Sequence, residues 1–267
     1  MQSEEFTLFV HERGTALFRD MPWRRDTSAY NVLVSEIMLQ QTQVDRVLPK
    51  FEAFMVRFPD VAALASAPLA DVLVLWSGLG YNRRAKFLHE AAKMIVREFG
   101  GELPSINTDL MRLPGVGVNT AGAILAYAFN QPVVYIETNV RTVYLHHFFE
   151  NNSQVSDAMI REKVEATLDR REPRLFYWAL MDYGSWLKRS GVKNIARSKH
   201  YRKQAPLEGS VRQVRGHIVR TLTSGECSLD VLRQAVDTGD GRFESAYEQL
   251  LLERLIQQHG EHVRLTQ

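Results

Sequence analysis

A chain of 267 residues with 45% apolar and 24% charged side chains can bury a real core or two modest ones, which excludes a disordered polyelectrolyte. Its net charge of +2 names no partner, and its single cysteine, Cys227, excludes an internal disulfide framework. No apolar run reaches transmembrane length and no basic-then-apolar leader opens the chain, so a soluble, cytoplasmic or otherwise intracellular monomer with no membrane partner is expected.

In chain order, periodicity predicts a first helix over about 4–19, with Phe6, Leu8, Phe9, Val10, Leu17 and Phe18 as its apolar surface. Residues 20–26 read as a loop. Helices then follow at about 29–39, 43–57, 60–66, 69–76, 82–99, 107–112, 118–129, 137–149, 155–169 and 173–188. Arg57-Phe58-Pro59-Asp60, Gly100-Gly101 and Glu172-Pro173 are loop signals between them. Nothing before 190 alternates as a strand, so the fold class is all-α. Between 189 and 220, Arg189, Lys193, Arg197, Lys199, Arg202, Lys203, Arg212, Arg215 and Arg220 face one acid, Glu208, a density that suits a polyanion. From Pro206 the pattern changes to helices at about 209–219, 228–236 and 243–257 with a closing strand near 262–265. Three helices and a small hairpin fit a winged-helix-like module over 206–267.

Leu113-Pro114-Gly115-Val116-Gly117-Val118-Asn119-Thr120 carries the strongest local signal. Pro114 ends any preceding helix, and Gly115 and Gly117 let the backbone turn tightly before a small-residue helix starts. A glycine-rich turn that opens a helix aims several N–H groups outward at the positive end of a dipole. On this turn alone, a seat for one phosphate and an ordinary helix–helix turn both remain open.

Further blocks shift the balance between them. Pro22-Trp23-Arg24, Ser35-Glu36-Ile37-Met38-Leu39-Gln40-Gln41-Thr42-Gln43-Val44, Leu75-Trp76-Ser77-Gly78-Leu79-Gly80-Tyr81 and Glu137-Thr138-Asn139-Val140-Arg141 flank the hairpin in order. Together, over roughly 20–190, they resemble the helix-hairpin-helix (HhH-GPD) DNA glycosylase superfamily, in particular its adenine-excising, MutY-type branch.

That resemblance implies a two-lobed helix-hairpin-helix core over 1–204. Its six-helix lobe would span about 26–130, and its second lobe would combine 1–25 with 131–204. It also implies an enzyme that flips a base out of duplex DNA and hydrolyses its bond to deoxyribose, in the nucleoid of a bacterium or elsewhere in a cell. Such cleavage needs a proton for the departing base and negative charge for an oxocarbenium-like sugar. Glu36 is the candidate acid, because Val32, Leu33, Val34, Ile37, Met38 and Leu39 surround it and burial raises a carboxyl pKa. Glu137, where the family has aspartate, is the candidate carboxylate, held anionic by a helix dipole and nearby N–H groups. Asn139 would hold that carboxylate or a water.

By the same resemblance, Trp23, Arg24, Asn119 and Trp178 line the base pocket, while Gln41 and Tyr81 wedge into the gap left by the flipped base. N–H groups of Gly115, Gly117 and Asn119 would seat a phosphate, with Lys199 and Arg202 as further DNA contacts. Carbonyls of Met111, Leu113 and Val116 would hold Na⁺ or K⁺.

The departures matter as much. Asn119 stands where strand-cleaving relatives carry a Schiff-base lysine, and Lys86, Lys163 and Lys188 have no family support as substitutes, so a monofunctional glycosylase is expected. Leu180-Met181-Asp182-Tyr183-Gly184 is kept, yet the four cysteines of an iron–sulfur cluster do not follow, and the tail is too short for the β-rich domain that senses 8-oxoguanine. No such cofactor is expected. The expected substrate is duplex DNA with a mismatched or damaged base, adenine opposite 8-oxoguanine or guanine first. Thymine or uracil opposite guanine is the alternative, and a non-catalytic binder of distorted duplex the rival from another class.

Overall fold

The computed structural model describes residues 2–199, 206–236 and 239–267. Its helices are α1 (Ser3–Ala16), α2 (Pro22–Arg25), α3 (Ala29–Leu39), α4 (Val44–Arg57), α5 (Val61–Ser66) and α6 (Leu69–Trp76). They continue as α7 (Arg83–Phe99), α8 (Asn107–Leu110), α9 (Val118–Tyr127), α10 (Thr138–Phe148), α11 (Asp157–Thr167) and α12 (Pro173–Arg189). The C-terminal part runs α13 (Val211–Leu222), β1 (Cys227–Ser228), α14 (Leu229–Val236), α15 (Arg242–Leu252), β2 (Ile256–His259) and β3 (His262–Leu265). The fold is all-α apart from one antiparallel sheet of order β1-β3-β2, whose helix–strand–helix–helix–hairpin order is winged-helix-like.

Two compact units form. The first takes residues 1–33, 105–112 and 116–203, and the second takes 34–104, 113–115 and 204–267. In the first, α12 packs against both α1 and α10. Phe6 and Val10, one turn apart on α1, are fully buried there. The Phe6 ring meets Tyr144 at 5.3 Å and Phe148 at 4.8 Å, and Tyr135 lies 4.2 Å from Tyr177. In the second unit, α5 and α6 pack on α7 around Phe54, Phe58, Leu64, Trp76 and Leu88, all without exposed surface. The C-terminal helices join this unit. The Lys86 ammonium on α7 donates to the carbonyl of Glu253 at 2.6 Å, and β3 lies against α6.

Three expectations need correction. Residues 22–25 are one helical turn rather than loop, because Pro22 at the first helical position supplies the required φ and loses no hydrogen bond there. Leu8 and Phe18 are 67% and 54% exposed. Position 8 lies on the opposite side of α1 from 6 and 10, and 18 falls beyond its end. The last helix stops at Leu252, not 257. Arg254 adopts a left-handed φ of 54°, and the apolar pair Leu255-Ile256 enters the sheet while staying buried.

Candidate active site

In the second unit, Glu36 projects from α3, half-buried in a helix whose Val34, Ile37 and Met38 are fully covered. Gln41 and Tyr81 lie on the loops that follow α3 and α6. Both hold left-handed backbone, with φ of 56° and 49°, a conformation that non-glycine residues rarely adopt and that concentrates at functional sites. Arg84 braces both loops from beneath. Its buried guanidinium donates to the carbonyls of Ile37 (2.9 Å), Met38 (2.8 Å), Gln40 (2.6 Å) and Gly80 (3.0 Å), and lies 5.4 Å from the Tyr81 ring centroid. Burial lowers its pKa to about 10, so it stays charged at neutral pH.

The hairpin's tightness rests on Gly115 alone. Its φ is +80°, a Cβ there would meet that of Phe87 at 3.0 Å, and its carbonyl accepts from Gln40 Nε2 at 3.1 Å. Gly117 departs from the expectation, because φ −90° and ψ 179° are open to any residue. No atom lies within 4 Å of where its Cβ would stand, which leaves room beside the first N–H groups of α9. Of the carbonyl-bearing positions 111, 113 and 116, Met111 is exposed while Leu113 and Val116 are buried.

In the first unit, α9 and α12 bracket the strand-like approach to Glu137. Gly122 admits Tyr135, since a Cβ on it would stand 2.5 Å from the Tyr135 Cβ. Asn119 Oδ1 accepts from the N–H of Ile136 at 3.5 Å, directly before Glu137. Glu137 caps α10 in position but not by hydrogen bond, as its side chain accepts from no helix N–H. The expectation that N–H groups hold it anionic is therefore corrected. Burial pushes its carboxyl up to about 7, opposed by the Lys188 ammonium, whose own pKa burial lowers. Asn139 donates to Met181 Sδ at 3.5 Å, and its Oδ1 is buried with no partner among the described residues. Such an atom accepts readily from a water or ligand.

Trp23 is 7% exposed and Arg24 9%. Arg24 donates to Asp182 at 2.7 and 3.1 Å and to the Arg19 carbonyl at 3.0 Å, and its guanidinium lies over the Trp178 ring at 5.3 Å. Trp178 also stacks on Tyr127. The structure thus joins Arg24 to Asp182 and Trp178, Asn119 to Ile136 and Asn139 to Met181. Sequence reasoning missed Lys188 beside Glu137 and Arg212 beside Tyr81, pairs separated by 51 and 131 positions with no local signal. Lys199 is exposed and its N–H donates to Val155, whereas Arg202 lies outside the described residues.

Comparison with known proteins gives the family. Residues 34–169 match the HhH-GPD superfamily base excision DNA repair protein family. An adenine DNA glycosylase of Mycolicibacterium smegmatis is 34% identical over 262 residues, which are 90% of this chain and 88% of that protein. The chain belongs to the HhH-GPD superfamily of base excision DNA repair proteins. An adenine DNA glycosylase of Buchnera aphidicola subsp. Baizongia pistaciae is 35% identical over 168 residues, 62% of this chain. The match spans about half, 48%, of that relative's length. A thermostable thymine-DNA glycosylase structure superposes with a TM-score of 0.62 at 24% identity, covering 68% of this chain and 86% of its own, and shares the fold.

After Gly184 no cysteine follows until Cys227. A four-iron cluster needs several thiolates, and the single cysteine stands half-buried in β1 of the C-terminal sheet. The residues present do not fit that group. The region is held by packing instead, with Leu187 buried, Trp186 stacked on Tyr183 and the buried Asn194 donating to the Thr142 carbonyl at 2.8 Å. Among the described residues no helix is long and apolar enough to cross a membrane.

Proposed function

We propose that this chain is a monofunctional DNA glycosylase that hydrolyses adenine from duplex DNA where it lies opposite 8-oxoguanine or guanine. The observation that carries this reading is the 34% identity with an adenine DNA glycosylase sustained over 262 residues, 90% of this chain.

In this reading Glu36 gives its proton to a ring nitrogen of the departing adenine, because a neutral purine leaves far more easily than its anion. Glu137 faces the sugar. A carboxyl near 7 in water-poor surroundings ionises more fully as positive charge develops beside it, so its attraction strengthens toward the transition state. Asn139 Oδ1 supplies a fixed acceptor for the attacking water. The N–H groups at the start of α9 hold a phosphate, the main-chain carbonyls of Met111, Leu113 and Val116 would be the ones to hold a monovalent cation, and Gln41 and Tyr81 occupy the gap in the base stack. Asn119 cannot form an imine, so the product is an intact abasic strand.

The test is incubation with duplexes containing A:8-oxoG, A:G, T:G and U:G, followed by alkali to reveal abasic sites. Alkali-dependent breaks at adenine support the reading. Breaks only at thymine or uracil replace it with pyrimidine excision, and tight duplex binding without breaks in any substrate replaces it with a non-catalytic role.

A further inference from the structure

Within the second unit, α13 of the C-terminal module faces the turn that carries Tyr81 across an open groove of about 310 Å³. Arg46, Arg212 and Arg220 line it, with Gln41, Tyr81 and His217, and no carboxylate is among its described lining residues. Three arginines lining one groove make a field that polyanions occupy. Arg212 Nη1 donates to the Tyr81 hydroxyl at 2.6 Å, and the same guanidinium lies 5.1 Å from the ring centroid. Tyr81 is therefore engaged by two cations that differ in burial. Arg84 is buried and tied to a set of main-chain carbonyls, whereas Arg212 is only half-buried and sits at the groove's edge.

We propose that this groove is a seat for the phosphodiester backbone of one strand of duplex DNA, and that Arg212 exchanges Tyr81 for a phosphate when the strand enters. The proposal rests on the DNA glycosylase reading and adds to it a role for the C-terminal module. A guanidinium gains more from a phosphate than from a phenol, because the former bond is charge-assisted on both sides. The exchange also frees Tyr81, whose ring must leave Arg212 before it can stack on a base. Arg46, whose guanidinium donates to the Gly78 carbonyl, and Arg220 would hold the flanking phosphates.

The experiment is duplex binding by fluorescence anisotropy across a salt series, with undamaged and A:8-oxoG duplexes, for the full chain and the variants Arg46→Ala, Arg212→Ala, Arg220→Ala and Tyr81→Phe. Each arginine variant is expected to weaken binding to both duplexes by a similar factor, roughly threefold to tenfold, and to lower the slope of log K against log salt by about one. Tyr81→Phe removes the hydroxyl on which Arg212 rests in the free protein. It should leave binding equal or up to about threefold tighter, and that gain should vanish in the Arg212→Ala background.

Unchanged salt slopes in all three arginine variants, in a protein that still excises adenine, would overturn the groove proposal alone and point to a protein partner or mere packing. Weaker binding by Tyr81→Phe that persists in the Arg212→Ala background would overturn the exchange. Failure of the unmodified chain to bind or cut any duplex would instead overturn the glycosylase reading beneath it. Circular dichroism of each variant separates these outcomes from misfolding.

Discussion

Gly184 of α12 lies so close to the first turn of α10 that a Cβ built on it would stand 2.5 Å from the main-chain oxygen of Asn139 and 2.8 Å from its Cβ. The atoms in the way are mostly backbone, so α10 must move to admit even one methyl group. Gly184→Ala is therefore expected to cost about 1–3 kcal/mol in urea unfolding. It should also lower excision by at least roughly tenfold, because Glu137 and Asn139 ride on that turn and small misplacements are costly in such sites. A variant of unaltered activity would detach the α10 turn from catalysis.

Asp182 anchors the opposite side of the same helix. It receives Arg24 in a paired geometry, together with the side chain and the N–H of Arg19, and only 1% of its side chain is exposed. Asp182→Asn leaves two guanidiniums facing a neutral amide, one of them buried. Removing one partner of a buried pair is strongly destabilising, and about 3 kcal/mol is expected here. Thermal unfolding should register it as a clear fall in Tm. An unchanged Tm would mean that water already screens these arginines.

How far the sequence discloses this molecule follows the range of the forces involved. Helices such as α3 and α6 follow from periodicity because their burial pattern repeats every turn, and α2 escapes it because one turn is too short to show a period. The overrun past Leu252 has the same origin. Leu250, Leu255 and Ile256 are all buried, and only Arg254 in a left-handed conformation turns that apolar run from helix to strand. At the candidate site, Glu36, Glu137 and Tyr81 stand out as residue types in motifs. Their partners Arg84, Lys188 and Arg212 do not, because those contacts are made by folding across 3 to 131 positions and a basic residue in a basic stretch carries no mark of its partner.

Strand cleavage provides a test of the Asn119 reading. Its Oδ1 faces the Ile136 N–H, and an amide there cannot attack a sugar C1′. Borohydride added during turnover on A:8-oxoG duplex should trap no covalent protein–DNA adduct. Lys188 is the lysine whose field reaches Glu137, and burial favours its neutral form. An adduct that forms with the unmodified chain and is lost in Lys188→Met would assign that lysine as a nucleophile and make the enzyme bifunctional.

Glu137 sets the dependence on pH. Its carboxyl lies at about 7 when folded and near the ordinary 4.5 when unfolded, so between these values the folded chain binds the extra proton. Stability therefore falls as pH rises through this window, and by pH 8 the full cost of an ionised, half-buried carboxylate is present. Glu137→Gln removes that cost. It is expected to raise stability at pH 8 by about 1–3 kcal/mol, with little change at pH 5, where the unmodified carboxyl is already largely protonated. The attraction of Lys188 for the carboxylate is already contained in the value of about 7, so the full shift is the upper bound of the gain. Activity should move the other way. If ionised Glu137 faces the sugar cation, single-turnover excision by the unmodified chain rises with pH across 6–8, and Glu137→Gln lies orders of magnitude lower with no such limb. Glu137→Asp keeps the charge on a shorter arm, so it should retain a pH limb and much of the rate. Denaturant unfolding at pH 5 and 8 and a pH–rate profile of the three proteins check both halves. A glutamine variant that is less stable at pH 8, or one that retains the limb, would take the negative charge at the sugar away from Glu137.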